Sequence, residues 1–526
     1  MALNSPIYNP PAPGAPDPLT FGFGNGWTPD TPDLNNPGSP VATNVVPRTA
    51  ISYGPVPQAQ VYGTGSLSLS CQGAVSVLDN SGNVQVFAGD AHDLYLYSSG
   101  ATTPAVVSKS SGAYNCPVNQ FWRFEYYNNV VIATDGVDNV QSYTLGTSTT
   151  FQDMAGGVCP IGKYVTIAKN FLIFADTTDT IVNNPTSETN HQRVWWSPLG
   201  NPFSAWPTPG SASAYAVQSS YDDVFGNHGW CQGVVGNLGN ADAAVFMEHA
   251  VFRMIFAGPP DTFDFQPVQA AKGTPAPLSI VRVGGIVFYL GEDGFYSFDG
   301  LNAEPIGVDM VDRWFWSNVN QSLLRNIFGA SDPINKVVYW AFAALGESKN
   351  SHILAYNYVH QAWSKIDIQS EVLVQLLTFG YTLDEIYSTF AYTLDTMPYN
   401  LDSRVWTGGL LSFGIFNTSN QLAFFTGPNM AATVDSPERQ FFPGQRGRIT
   451  AVRPLIDGGT PYISVGTRER QIDSVVYKSA VKINSLGTCP QLTTGRYQRV
   501  RIITQAGDTW TNLYGAEVDA DGAGPQ

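Results

Sequence analysis

The stretch Ile286–Gly307, IVFYLGEDGFYSFDGLNAEPIG, decides the fold. Ile286–Leu290 is a continuous apolar run, as expected of a strand covered on both faces. Gly291-Glu292-Asp293-Gly294 follows, and a loop ending in Asp-Gly is a strong hairpin signal. Phe295–Phe298 supplies the return strand, rich in aromatic residues that fit a pleated, half-buried surface. Asp299-Gly300 turns the chain again, and Ala303–Ile306 closes the meander. Such a unit cannot bury both faces alone, so it needs neighbours built the same way.

Working outward, similar groups recur. Ala74–Leu78, Val84–Ala88 and Leu94–Tyr97 form the first. Phe121–Tyr127, Val130–Ala133 and Val140–Leu145 form the second; Tyr164–Ala168, Phe171–Ala175 and Arg193–Ser197 the third. The fourth holds Gly233–Val235, Ala243–Met247, Val251–Ile255 and Phe263–Val268. Ile280–Val283 opens the fifth group, and Ile327–Ala330 begins a sixth that runs through Val337–Phe342 and His352–Tyr356 to Ala362–Ile366. Val372–Phe379, Leu411–Ile415 and Leu422–Phe425 read as a further, broken group. A period of roughly 40–50 residues with three or four strands each is that of a β-propeller blade. The expected fold is all-β: a propeller of six blades, with seven as the alternative, over residues 61–430. A β-sandwich array is the other architecture weighed. A short helix is expected within Val308–Asn326, between two blades.

Residues 1–60 are rich in Pro, Gly and Asn and are expected to form an extended arm without a core of its own. Phe21, Phe23 and Trp27 are its candidate anchors, against a neighbouring subunit if the arm orders at all. Residues 431–526 alternate Arg with apolar residues, as in Tyr497-Gln498-Arg499-Val500-Arg501-Ile502. That pattern predicts a small antiparallel β-sandwich or barrel.

The chain has 526 residues and only 13% charged side chains, about half the usual share. So few charges on so large a surface point to cover by partner chains. The formal charge of −16 argues against a general grip on nucleic acid. The deficit lies ahead of Ala431, since the remaining residues hold 11 Lys and Arg against 9 Asp and Glu. Five cysteines, Cys71, Cys116, Cys159, Cys231 and Cys489, are far apart and make no metal-ligand spacing. No basic segment followed by an apolar run begins the sequence, and no apolar stretch is long enough to span a membrane, so neither a signal peptide nor stable membrane insertion is expected.

Candidate chemistry is thin. Glu292 and Asp293 are adjacent on a turn, where Asp before Gly needs no catalytic explanation. Arg193–Trp206 loosely matches the Asp-box turn of sialidases but lacks the aspartate. His92, His191, His228, His249, His352 and His360 have neither HxxxH nor HExxH spacing, and there is no GxSxG elbow. Asp519 and Asp521 before Gly522 are a fragment of a calcium loop whose other ligand positions are missing. Arginines interleaved with aromatic residues after Ala431 suit stacking with single strands, but on a strand face they are more often solvated or paired with acidic residues of a neighbouring chain. Catalytic, cofactor and metal residues are therefore expected to be none.

Four segments carry a resemblance to the tail nozzle proteins of short-tailed bacteriophages, also called stabilisation or tail accessory proteins. They are Arg193–Pro207 (RVWWSPLGNPFSAWP), GEDGFYSFDGLNAEPIG, Val338-Tyr339-Trp340 with Ala355-Tyr356-Asn357 and Trp363, and Gly495–Arg501 with Trp510 and Gly515. The resemblance implies a non-enzymatic subunit of the virion tail, assembled in the host cytoplasm. It implies a homohexameric ring below the portal and adaptor, through which double-stranded DNA passes, with tail fibres or tailspikes as further partners. The alternative is a carbohydrate-binding or glycan-hydrolysing propeller of the tail. A secreted lectin is disfavoured by the missing signal peptide.

Overall fold

The computed structural model describes residues 19–24, 26–154, 156, 158–179, 188–268, 271–379 and 408–524. They form two units, Val56–Asn429 and the combination of Met1–Pro55 with Met430–Gln526. The first is a β-propeller of seven antiparallel, four-stranded blades among the described residues. Blades 1 to 6 run from Gly73 to Val106, Arg123 to Asp153, Ile161 to Asp223, Cys231 to Pro267, Val281 to Pro305, and Phe328 to Ser370. Blade 7 takes Val372–Phe379, Gly408–Phe416 and Leu422–Asn429, and its fourth strand is Pro57–Val61. The count is thus the larger of the two expected. The group that looked broken lacks only a strand that arrives from the other end of the unit.

Aspartate or asparagine recurs where a strand ends. Asp90 accepts the amides of His92 and Asp93 at 2.8 Å, and Asp135 those of Val137 and Asp138 at 2.9 Å. Asp299, Asp332 and Asn357 do the same for the second and third amides beyond them. The side chain stands in for a ladder partner and folds the chain back. Many acids of this body are therefore turn-makers.

Blades stack through aromatic residues. Phe87 meets Tyr143 at 5.1 Å between blades 1 and 2. Phe171 and Trp196 each meet Phe263 at 5.3 Å between blades 3 and 4, and Phe246 meets Tyr289 at 5.1 Å between blades 4 and 5. Phe295 lies 4.8 Å from Trp340 and 5.2 Å from Trp363, joining blades 5 and 6. Tyr339 stacks on Phe413 at 4.2 Å, and Tyr97 faces Phe416 at 6.2 Å, which closes the ring from blade 7 to blade 1. Blades 2 and 3 share a buried cluster of Tyr127, Ile132, Leu172, Phe174 and Trp195.

The short helix is Asp312–Asn318, followed by a 3-10 turn at Gln321–Asn326, between blades 5 and 6. Its Asp312 accepts the amide of Phe295 at 3.2 Å. A Cβ at Gly294 or at Gly307 would collide with that carboxylate, so these two glycines of the Ile286–Gly307 stretch are needed for close approach.

The other unit is a sandwich of two antiparallel sheets. One orders Val45–Thr49, Ser52–Pro55, Leu513–Gly522, Gly447–Ile456 and Cys489–Gly495. Its partner orders Val41–Thr43, Ala432–Asp435, Tyr497–Thr504 and Tyr462–Arg468. The expected free arm is corrected in its described part. Leu19–Gly22 pairs with Leu513–Gly522, Val41–Thr43 pairs with Ala432–Asp435, and Phe21, Phe23 and Trp27 are buried. Short runs between the prolines keep free backbone donors, and Leu19–Gly22 and Val41–Thr43 pair through them.

Trp340 donates its indole N–H to the Ser279 carbonyl at 2.9 Å, and Trp363 donates to the Ile306 carbonyl at 3.1 Å. Both bonds cross from blade 6 to the chain around blade 5. Trp340→Phe keeps the ring but strands a buried carbonyl, so it should cost about 1–3 kcal/mol. Trp340→Ala should cost about 3–5 kcal/mol. Thermal unfolding of the two variants against the parent checks the order of the losses.

Candidate functional site

The inner strands of the blades surround a central cavity. Its larger lobe, about 500 Å³, is lined by Gly73–Ser76, Trp122–Phe124, Ile280–Arg282, Phe328–Ser331 and Val372–Gln375, from blades 1, 2, 5, 6 and 7. A smaller lobe of about 70 Å³ is lined by Arg123, Tyr164, Val165, Gly233–Val235, Pro277 and Ile280, from the sides of blades 2 to 5. Arg123 belongs to both lobes. Its guanidinium reaches from blade 2 to the Pro277 carbonyl ahead of blade 5 at 3.0 Å. A single side chain therefore crosses the ring from blade 2 to the chain ahead of blade 5.

A second tie repeats the crossing. Glu125 is two residues along the same strand face as Arg123. Burial pushes its carboxyl up to about 7, against the opposing pull of the Arg282 cation and a hydrogen bond from Thr166. Arg282 donates to the Gly236 carbonyl at 2.8 Å, and the Gly236 amide donates to Thr166 Oγ1 at 2.9 Å. Inner strands of blades 2, 3, 4 and 5 are thus tied at one point. Among the described residues that line the larger lobe there is no carboxylate.

Several residues weighed for chemistry in the sequence have structural partners. Glu292 meets His249, and Asp293 accepts the Tyr296 hydroxyl at 2.8 Å on the same turn. His191 holds Asp176 at 2.7 Å and stacks on Trp230, and His352 pairs with Asp367 at 2.8 Å. Arg193 grips Asp223 in bidentate fashion at 2.7 and 2.8 Å and reaches Asp179 at 3.0 Å, all within blade 3. Trp195, Trp196 and Trp206 beside it are buried, so this segment is core. All five cysteines are free thiols, and burial pushes each thiol up, away from the reactive thiolate. Asp519 and Asp521 lie on the strand Leu513–Gly522, where extended backbone does not wrap a cation. No group of His, Cys, Asp or Glu among the described residues is placed to hold a metal ion.

Three buried or half-buried arginines after Ala431 pair with carboxylates of the same chain. Arg501 grips Asp435 at 2.6 and 2.8 Å and lies 3.8 Å over the Tyr477 ring. Arg468 pairs with Glu438 at 2.7 Å, and Arg499 with Asp33 at 3.2 Å. The carboxylates anticipated from a neighbouring chain come from this chain, one of them from the residues before Pro55. The channel residues Arg123, Glu125 and Arg282 were missed in the sequence. The only signal was a charge at alternate positions of an inner strand, Arg123-Phe124-Glu125, where apolar residues are the norm.

No protein-family model and no curated protein matches the chain. Among solved structures it is similar to PorZ, a bacterial surface component of the type-IX secretion system of Porphyromonas gingivalis. Identity is 10% over 73% of this chain and 42% of that one, with a TM-score of 0.34. The chain thus spans less than half the length of PorZ. It is also similar to an exo-β-1,3-galactanase from Phanerochaete chrysosporium, at 9% identity over 88% of this chain and all of that one, with a TM-score of 0.29.

The raised carboxyl of Glu125 has a definite sign. A group held protonated by the fold stabilises it below the unfolded value near ~4.5 and loses that contribution as pH climbs through about 7. Glu125→Gln should therefore melt like the parent near pH 4 and above it at pH 8. The gain should be about 1–2 kcal/mol, less than the shift alone implies because the channel admits water. Melting curves at the two pH values measure the difference.

Proposed function

We propose that the chain is a non-enzymatic structural subunit of a virus particle: a tail nozzle of short-tailed bacteriophages, closing with copies of itself into a homohexameric tube. The observation that carries this reading is a set of exposed apolar side chains on a body poor in charge. Ile472, Val476, Leu486 and Leu492 are 88%, 66%, 81% and 64% exposed in the span that flanks the strand Tyr462–Arg468. Tyr215, Phe225 and Trp230, around the outer strand of blade 3, are exposed as well. Apolar side chains grouped this way belong under a partner. The four segments that resemble nozzle proteins fall on blades 3, 5 and 6 and on the sandwich strands, which supports the same reading.

Under this proposal the conduit for double-stranded DNA lies between copies. The hole through each propeller is crossed by Arg123 and leaves lobes far too small for a duplex. Heterologous contacts that close on themselves give a ring with its own opening. The acidic body then repels passing DNA and keeps it from sticking. Portal and adaptor proteins would meet one end of the tube, with fibres or tailspikes on its flank. A glycan-hydrolysing propeller is the weaker reading, because it requires two carboxylates facing each other across a pocket. The larger lobe offers none among its described lining.

Purified chain, alone or with portal and adaptor, should give rings with a central hole in negative-stain images. Ile472→Asp with Leu486→Asp should abolish ring formation while leaving the melting temperature within about 2 °C of the parent, since exposed substitutions cost little. A chain that stays monomeric with those partners, yet binds or cleaves glycans in a screen, would overturn the nozzle reading.

A further inference from the structure

At the end of the channel where the inner strands begin, cations converge. Arg123 opens the inner strand of blade 2, Lys163 and Tyr164 lie near the start of that of blade 3, and Arg325 ends the 3-10 turn ahead of blade 6. With Asn119, Gln120, Phe121 and Pro277 they enclose a small cleft of about 20 Å³, which adjoins the 70 Å³ lobe through Arg123, Tyr164 and Pro277. The Arg123 guanidinium carbon lies 5.4 Å from the Tyr164 ring centre and Lys163 Nζ lies 5.6 Å from it, while Arg325 is close enough to act on both Lys163 and Tyr164.

The charges do not balance. Lys163 has one carboxylate, Asp176 at 3.6 Å, and Asp176 also serves His191. Arg123 and Arg325 have no carboxylate partner among the described residues. Each is half-buried, in a chain of formal charge −16. Burying cations without counter-charge is unfavourable, so the arrangement persists because it is put to use or because an anion completes it. A second observation points the same way. Tyr164 lines the cleft, is 4% exposed, and carries a buried hydroxyl with no hydrogen-bond partner. It is a donor waiting for an acceptor. Two cations without a carboxylate, a third shared cation and an idle hydroxyl describe the complement of a dianion.

We propose that Arg123, Lys163, Arg325 and Tyr164 form a binding site for the phosphate group of a small molecule. Phosphate carries about −1.5 to −2 at neutral pH and offers several acceptor oxygens, which matches the donor set. The source is either free phosphate or a phosphate ester whose remainder enters the adjoining lobe of about 70 Å³. This site lies within a single chain and stands apart from ring assembly.

The test uses the full chain, with inorganic phosphate, glycerol 3-phosphate and sodium chloride at one ionic strength. Both phosphates should raise the melting temperature progressively with concentration, as ligands of the folded state do, whereas chloride should not. Phosphorus NMR line broadening at low temperature reads binding to folded protein directly. Arg325→Gln alters a half-exposed side chain that holds no ion pair, so the variant should melt like the parent in chloride and bind phosphate about tenfold more weakly. Tyr164→Phe, which retains the ring, should weaken it as well. Tighter binding of the ester than of free phosphate would assign the adjoining lobe to the remainder of the ligand. Equal effects of chloride and phosphate, or an Arg325→Gln variant that binds as the parent does, would overturn the site.

Discussion

Interleaving of aromatic side chains between neighbouring blades is the constraint on which the propeller depends. A lone four-stranded sheet leaves two apolar faces wet, and only a neighbour of the same kind covers each. Here the cover is aromatic at nearly every joint, and each large ring buries more surface than an aliphatic residue could. Rings alone would permit blades to slide. Indole N–H groups remove that freedom, because Trp122, Trp340 and Trp363 donate to carbonyls of the preceding blade or its connections. Burial supplies the energy and the directional bonds supply the register.

The same closure explains why the last blade borrows from the start of its unit. A ring built from one chain must join its first and last blades, and pairing Pro57–Val61 with Leu422–Asn429 does so with backbone hydrogen bonds. Opening the ring then breaks a sheet as well as a packed face. The sandwich uses the same device, setting Val41–Thr43 against Ala432–Asp435 and Leu19–Gly22 against Leu513–Gly522. Residues far apart in the sequence are thus held by ladder bonds in both units.

Much of this was legible in the sequence. The Ile286–Gly307 meander announced its strands because Asp-Gly turns and aromatic runs alternate there without interruption. Groups one to six were legible for the same reason. The seventh was not, since its fourth strand is separated from the other three by more than three hundred residues, a distance that no local pattern spans. The arm was less legible because its prolines mask the short pairing runs between them. Phe21 and Trp27 were noticed, but what covers them lies at the far end of the chain. The channel was the least legible part. Arg123, Lys163 and Arg325 come from three blades or their connections, and only the closed ring brings them together.

The distribution of charge follows from the same geometry. A propeller needs a turn at the end of nearly every strand, and this chain repeatedly makes that turn with an Asp side chain bound to two backbone amides. Acids are thus consumed as local structure at the rims, where their net charge also discourages contact with nucleic acid. Cations have no such local use, so where they point inward something non-local must account for them. In the sandwich it does: Arg468, Arg499 and Arg501 each find a carboxylate of the same chain. At the propeller mouth Arg123 and Arg325 do not, and the difference between those two sets of arginines is what singles out the mouth as a place for a ligand rather than for another ion pair.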